Sequence, residues 1–215
     1  MAWDLTDIAD AVARGLLARA AADDAEQAVY SIDALNELGL HPIIHKALRA
    51  GGYGVWPEQR YPSDRQLRKR KSQGQRCDLV LTRQVEQTLV DPEAEQTLFA
   101  PPDSLPLEAA YWLEIKTVSQ FTTEGPFPHY GKEMLNAVSR DLRKLAADRL
   151  IFHAGLLLVL FTADEQTARH DLDAWLLRIT RKGYPVAPAA ERHHRITDRL
   201  GNGHMAVGLF AVRRL

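Results

Sequence analysis

The sequence predicts a mixed α/β fold in which one central mixed β-sheet carries helices on both faces. Apolar residues recur at helical spacing through most of residues 1–50. Short runs rich in β-branched and aromatic residues follow, among them 111–118 and 154–162. An amphipathic segment, 133–150, separates these two runs, which is typical of a helix that connects neighbouring strands.

Composition is that of an ordinary globular protein. The chain has 215 residues, of which 46% are hydrophobic and 26% are charged. We expect a single domain over residues 1–215, with a helical segment, 1–50, packed on it and an insertion at 83–109. The 27 basic and 28 acidic residues give a net charge of -1, so any contact with nucleic acid has to be local.

A cytoplasmic location without a membrane partner is expected. The single cysteine, Cys77, cannot form an internal disulfide, and the first residues lack the pattern of a signal peptide. The longest apolar run, 154–161, is too short to span a bilayer. Because Cys77 lies inside an apolar run, we expect a small buried side chain rather than a nucleophile.

Three helices are predicted in the N-terminal segment. The first covers 3–22, and the second covers 24–38 with Gly39 as its C-cap. Pro42 suits the first turn of a third helix, 43–50.

Strands and helices then alternate. The first predicted strand covers 53–61, and the second begins at Asp78. The insertion at 83–109 is acidic and contains proline, so we expect an excursion that carries at most a short hairpin. After the segments already described, Asp164 is expected to cap a long helix that ends near residue 181, and a last strand covers 205–212.

Charged side chains stand inside two of the apolar strands. Asp78 opens the second strand, and Glu114 and Lys116 lie within 111–118. A buried charge is costly unless it is paired or binds a metal. Because residues i and i+2 of a strand share a face, Glu114 and Lys116 project together, and Asp78 can join them from a neighbouring strand. The carboxylates would suit Mg²⁺ or Mn²⁺, and the lysine could orient a water. The alternative is an exposed ion pair at a sheet edge.

This arrangement resembles the signature of the PD-(D/E)XK nuclease superfamily, which has the restriction-endonuclease-like fold. The matching residues are Asp78 and Glu114-Ile115-Lys116, with Cys77 where the motif has proline. The resemblance implies that Asp78 and Glu114 bind the divalent ion and that Lys116 positions the attacking water.

The resemblance also implies a further acidic residue on the helix before the first strand. Glu37 is the matching candidate, and would support the catalytic site through a second ion or a bound water. Glu58, in the first predicted strand, is the alternative for this role. His41 and His45 have the i, i+4 spacing of a zinc site, but the glutamate of an HExxH motif is missing, so we interpret both as surface or packing histidines.

A basic stretch directly before Asp78 is the predicted nucleic-acid contact. Its basic residues are Arg65, Arg68, Lys69, Arg70, Lys71 and Arg76. A solvated surface loop is the alternative. Arg140, Arg143 and Lys144, on the helix 133–150, are weaker candidates for the same contact.

The favoured function is therefore a Mg²⁺- or Mn²⁺-dependent endonuclease-like hydrolase that cleaves nucleic acid, with DNA preferred and RNA left open. The alternative is a non-catalytic module of the same fold that binds nucleic acid or a protein partner. A homodimer is also compatible with this sequence.

Overall fold

The structure is a computed structural model that describes residues 2–63, 75–90 and 104–213. Its strands, in chain order, are β1 (Gly54–Arg60), β2 (Arg76–Thr82), β3 (Thr88–Leu89), β4 (Ser104–Leu105), β5 (Tyr111–Ser119), β6 (Phe121–Thr122), β7 (Gly125–Pro126), β8 (His153–Thr162), β9 (Ala190–Arg195) and β10 (His204–Val212). Its longer helices are α1 (Leu5–Ala25), α2 (Glu37–Ala50), α3 (Val138–Ala147) and α4 (Glu165–Arg181).

Six strands form one central sheet in the order β1-β2-β5-β8-β10-β9. The pair β5 and β8 is parallel, whereas β1-β2, β2-β5, β8-β10 and β10-β9 are antiparallel. The parallel pair is connected through α3, as a crossover requires. The predicted mixed sheet is therefore confirmed.

Helices cover the sheet on both sides and divide the core in two. The side chains of Leu113 and Ile115 pack with apolar residues of α1 and α2 on one face. On the other face, Trp112 and Leu158 pack with apolar residues of α3 and α4, including Trp175. This alternation along β5 and β8 places the two helical layers on opposite faces, as predicted for this fold class.

The predicted helix at 24–38 is wrong. Helix α1 ends at Ala25, Gln27 has a positive φ of 52°, and a short 3-10 turn at Ile32–Ala34 follows. Helix α2 then begins at Glu37 because the side chain of Asn36 accepts a hydrogen bond from Gly39 N at 2.9 Å. Gly39 therefore lies in the first turn of α2 and does not end a helix.

Three further differences concern short or polar elements. In the insertion, β3 and β4 pair in parallel, so the expected hairpin is not formed by these two strands. Strand β9 was not predicted, because its sequence, Ala190–Arg195, is polar and it lies at the sheet edge, where one partner strand suffices. Helix α3 is preceded by a π-helical stretch, Glu133–Ala137, and ends at Ala147, three residues before the predicted end.

Other predictions agree with the structure. Asp164 caps α4 by accepting a hydrogen bond from Thr167 N at 2.7 Å. Cys77 is fully buried, and burial raises the pKa of its thiol well above the usual range. Within the described part of the chain, no helix combines the length and the apolar character needed to cross a bilayer.

Candidate metal centre

The site lies where β2 and β5 stop pairing. The last paired residues are Leu79 and Leu113, so the next position in register places Asp78 opposite Glu114. Instead of a backbone carbonyl, the Oδ2 atom of Asp78 accepts the hydrogen bond from Ile115 N, at 2.8 Å. Asp78 thereby fixes the residue between Glu114 and Lys116, and the sheet opens at this point.

Glu114 is the most deeply buried carboxyl group of the site, with 2% of the residue exposed. Tyr61 donates a hydrogen bond to Glu114 Oε1 at 2.5 Å. Burial, and then the negative charge of Asp78, raise the pKa of Glu114 to about 9. In the absence of a cation, Glu114 is therefore neutral at physiological pH.

Lys116 joins two helices from opposite faces of the sheet. Its Nζ atom lies 2.9 Å from both carboxylate oxygens of Glu37 on α2, and 3.3 Å from Asp141 Oδ2 on α3. Burial acts to lower the pKa of Lys116, but the two carboxylates outweigh it and the net shift is upward. The ammonium group therefore stays charged at neutral pH.

Glu37 and His41 project from the first turns of α2 towards Asp78. The two are four residues apart on the helix and so lie on one face. The possible ligand atoms of Glu37, His41 and Asp78 all lie within 4.8 Å of one another. The Nε2 atom of His41 is buried and has no hydrogen-bond partner among the described residues. These three side chains could hold a metal ion.

Asp141 and Lys144 complete the charge distribution from α3. Lys144 Nζ lies 2.7 Å from Asp141 Oδ1. Burial acts to lower the pKa of Lys144, but the hydrogen bond to Asp141 outweighs it and the net shift is upward.

With Glu114 neutral, the remaining carboxylates outnumber the ammonium groups by one. The carboxylates are Glu37, Asp78 and Asp141, and the ammonium groups are Lys116 and Lys144. This excess of negative charge favours a bound cation, and the oxygen and nitrogen donors beside it fit a divalent metal ion.

The structure brings together the four predicted catalytic residues. Asp78, Glu114, Lys116 and Glu37 all lie in this site. Among the described residues, however, the group with metal-ligand spacing is Glu37, His41 and Asp78, and Glu114 is not part of it. Glu58, the alternative to Glu37, is exposed on β1, and its carbonyl accepts a hydrogen bond from Arg76 at 2.7 Å.

Sequence reasoning missed Asp141 and interpreted His41 as a surface or packing histidine rather than as a residue of the site. The i, i+4 spacing of Glu37 and His41 was the available signal, but the incorrect helix boundary at Gly39 hid it. Asp141 occupies an inward position of α3 beside Leu142, and a buried acidic residue on an apolar helix face is the signal that could have identified it.

Most of the predicted nucleic-acid contact lies outside the described residues. This applies to Arg65, Arg68, Lys69, Arg70 and Lys71. Arg76 is described and exposed at the start of β2.

Both flanks of the basic segment meet beside Glu114. Tyr61, whose hydroxyl contacts Glu114, donates its backbone N–H to Gln75 O at 3.3 Å. Two residues after Tyr61, Ser63 donates hydrogen bonds from its N and Oγ atoms to Oδ2 of Asp148, at 3.0 and 2.8 Å. Asp148 directly follows the end of α3. The described residues on both sides of the basic segment therefore lie next to the site.

The two weaker arginine candidates and Lys144 have different environments. Lys144 is paired with Asp141 in the site, whereas Arg140 is exposed. Arg143 is exposed and donates a hydrogen bond to the hydroxyl of Tyr184 at 2.5 Å.

Comparisons of the chain with protein families, with curated proteins and with solved structures gave no match. The resemblance to the PD-(D/E)XK superfamily therefore stays a prediction made from Asp78, Glu114 and Lys116.

Proposed function

We propose that the chain is a metal-dependent phosphodiesterase that hydrolyses nucleic acid, with DNA as the expected substrate. The observation that carries this proposal is the placement of the Lys116 ammonium between Glu37 and Asp141, beside the possible ligand group of Glu37, His41 and Asp78. Phosphodiester hydrolysis needs a bound cation, a positioned water and positive charge near the phosphate, and these residues can provide all three.

Each residue has a role that follows from its contacts. When bound, the ion would polarise a phosphoryl oxygen and lower the pKa of a bound water. Lys116 can donate a hydrogen bond to the attacking water or offset charge that develops on the phosphate. Asp78 holds the Ile115 amide, and so fixes the positions from which Glu114 and Lys116 project. Glu114 is held by the hydrogen bond from Tyr61 and lies opposite Asp78, where β2 and β5 stop pairing.

The basic residues between Ser63 and Gln75 supply a contact for the phosphate backbone in this proposal. The described residues on both sides of that segment, Tyr61 and Gln75, are hydrogen-bonded to each other, and Tyr61 contacts Glu114. We therefore propose its five lysine and arginine residues as the contact for the phosphate backbone. A cytoplasmic location is also proposed, in keeping with the single buried free thiol of Cys77.

Cleavage of supercoiled, linear and single-stranded DNA, and of RNA, with Mg²⁺ or Mn²⁺ tests the proposal. We expect cleavage by the wild type and a loss of at least about 100-fold in Asp78→Asn and in Lys116→Met. Lys46→Met is the matched control, because Lys46 is an exposed lysine on α2, and it should cleave normally.

Two outcomes would contradict the proposal. Full activity in Lys116→Met would remove the assigned role of the ammonium group. Binding of nucleic acid by the wild type without cleavage under any of these conditions would instead identify a non-catalytic binding module.

A further inference from the structure

His41 brings an imidazole to the possible ligand group, beside the carboxylates of Glu37 and Asp78. One of its ring nitrogens is within 4.8 Å of a carboxylate oxygen of each. The buried Nε2 atom has no hydrogen-bond partner among the described residues. Either ring nitrogen of a neutral imidazole can bind a metal ion, so the proximity of His41 to the two carboxylates makes it a candidate ligand.

The chemistry of this donor set distinguishes between divalent ions. Mg²⁺ binds oxygen ligands and retains most of its water, so an imidazole nitrogen adds little to its affinity. First-row transition ions accept imidazole readily, and their affinity for such sites rises from Mn²⁺ towards Cu²⁺. A site with two carboxylates and one imidazole therefore favours a transition ion over Mg²⁺.

We propose that Glu37, His41 and Asp78 form a mixed nitrogen and oxygen site that selects a divalent first-row transition ion, such as Mn²⁺, over Mg²⁺. Its use in cleavage rests on the proposed function, but the ion preference itself does not. The three protein ligands leave other coordination positions for water and for a phosphate oxygen.

A metal ion at this site would compete with Lys116 for the carboxylate of Glu37. Both oxygens of Glu37 lie 2.9 Å from Lys116 Nζ, so an ion that binds Glu37 shares this carboxylate with the ammonium group. Lys116 keeps a second partner in Asp141, at 3.3 Å, when Glu37 turns to the ion. The site thus has an alternative contact for Lys116 in the ion-bound state.

The test uses the full chain with metal ions alone and no nucleic acid. Mn²⁺ binding is followed by electron paramagnetic resonance, and Mg²⁺ is then added as a competitor. We expect the wild type to bind Mn²⁺ at least about tenfold more tightly than Mg²⁺. His41→Asn should lose about tenfold in Mn²⁺ affinity and change its Mg²⁺ affinity by less than about threefold.

His45→Asn is the matched control. His45 lies one turn further along α2, and its Nε2 atom is also buried without a hydrogen-bond partner among the described residues, but it is not part of the ligand group. This variant should bind both ions as the wild type does.

A spectroscopic measurement on the wild type keeps the proposal testable even if His41→Asn does not fold. Electron spin-echo modulation of the Mn²⁺-loaded protein should show coupling to an imidazole nitrogen. Absence of this coupling, or equal losses of Mn²⁺ and Mg²⁺ affinity in His41→Asn, would overturn the ion preference. Because no substrate is present, neither result depends on whether the protein cleaves nucleic acid.

Discussion

At the scale of single residues, the site is a set of charges that hold one another in place. Lys116 lies between Glu37 and Asp141, Asp78 is held by a backbone amide, and Glu114 is kept neutral by burial. The sequence indicated three of these residues because charges inside apolar strands are rare. The sequence did not indicate Asp141, and it favoured a surface or packing role for His41, because only packing shows that the two residues lie near the same site.

Lys116→Met tests the competition for Glu37. Removing the ammonium group frees both Glu37 oxygens and removes a positive charge beside the ion. We therefore expect Mn²⁺ to bind at least about threefold more tightly, even though cleavage is lost. Isothermal titration calorimetry measures the change, and Lys46→Met controls for the altered net charge. Weaker Mn²⁺ binding in Lys116→Met would contradict the competition.

Because His204 is buried, we expect the folded protein to lose stability at mildly acidic pH. It is 2% exposed on β10, and its Nε2 atom lies 3.3 Å from His193 Nδ1. Burial, and then the charge of His193, lower the pKa of His204. Glu165 acts to raise this pKa, whereas His194 and Arg169 lower it further. The unfolded chain therefore takes up a proton below about pH 6.5 that the folded chain resists, so stability falls as the pH falls through this range.

Thermal unfolding of the wild type and of His204→Phe between about pH 7.5 and about pH 5.5 measures this effect. The variant keeps an aromatic ring but cannot be protonated, so its melting temperature should fall less than that of the wild type. His170→Phe is the control, because the His170 side chain is 77% exposed. Equal pH dependence in the wild type and His204→Phe would exclude His204 as the cause.

At the scale of elements, the packing of α1 on α2 determines where Glu37 and His41 stand. Gly15 on α1 faces α2, and a Cβ atom at this position would lie 2.2 Å from Cβ of Ala47. The close approach of the two helices therefore depends on the missing side chain. The sequence predicted α1 from its periodicity, but the start of α2 depended on the Asn36 cap.

Gly15→Ala tests this close approach. Although alanine favours an isolated helix, the added methyl group has to push α2 away or strain the contact, so the free energy of unfolding should fall by about 1–3 kcal/mol. Urea denaturation measures the change. Gly131→Ala is the matched control, since the structure places no atom of the described, non-adjacent residues within 4 Å of the added group, and stability should not fall. A Gly15→Ala protein as stable as the wild type would show that the helices can separate at little cost.

At the scale of the whole molecule, the net charge of -1 means that the predicted binding of nucleic acid would depend on one part of the chain. The basic residues that precede Asp78 are the predicted contact, and the described residues that flank them meet at the site. Each phosphate contact releases counterions, so binding through this segment should weaken steeply as salt is added.

Replacing Arg68, Lys69 and Arg70 with alanine should lower affinity for double-stranded DNA and reduce the slope of log affinity against log salt by up to about 2.7. Fluorescence anisotropy at several salt concentrations measures the slope. The matched control replaces Arg178, Arg181 and Lys182 with alanine. These residues are exposed at the end of α4, and their replacement removes the same amount of positive charge. The same slope in both triple variants would show that the effect reflects net charge and not a local contact.

The sequence by itself determined the fold class and the run of most helices and strands, and it indicated Asp78, Glu114 and Lys116 as candidate site residues. Periodicity and the cost of buried charge are local properties of the chain, so they can be read without a structure. Tertiary structure decided which charges meet. The Asn36 cap sets the start of α2, from which Glu37 and His41 project towards Asp78, and the packing of α3 places Asp141 beside Lys116. Lys116 lies 25 positions from Asp141 and 79 positions from Glu37 in the chain, and no local pattern specifies such contacts, because they form only when the helices pack on the two faces of the sheet.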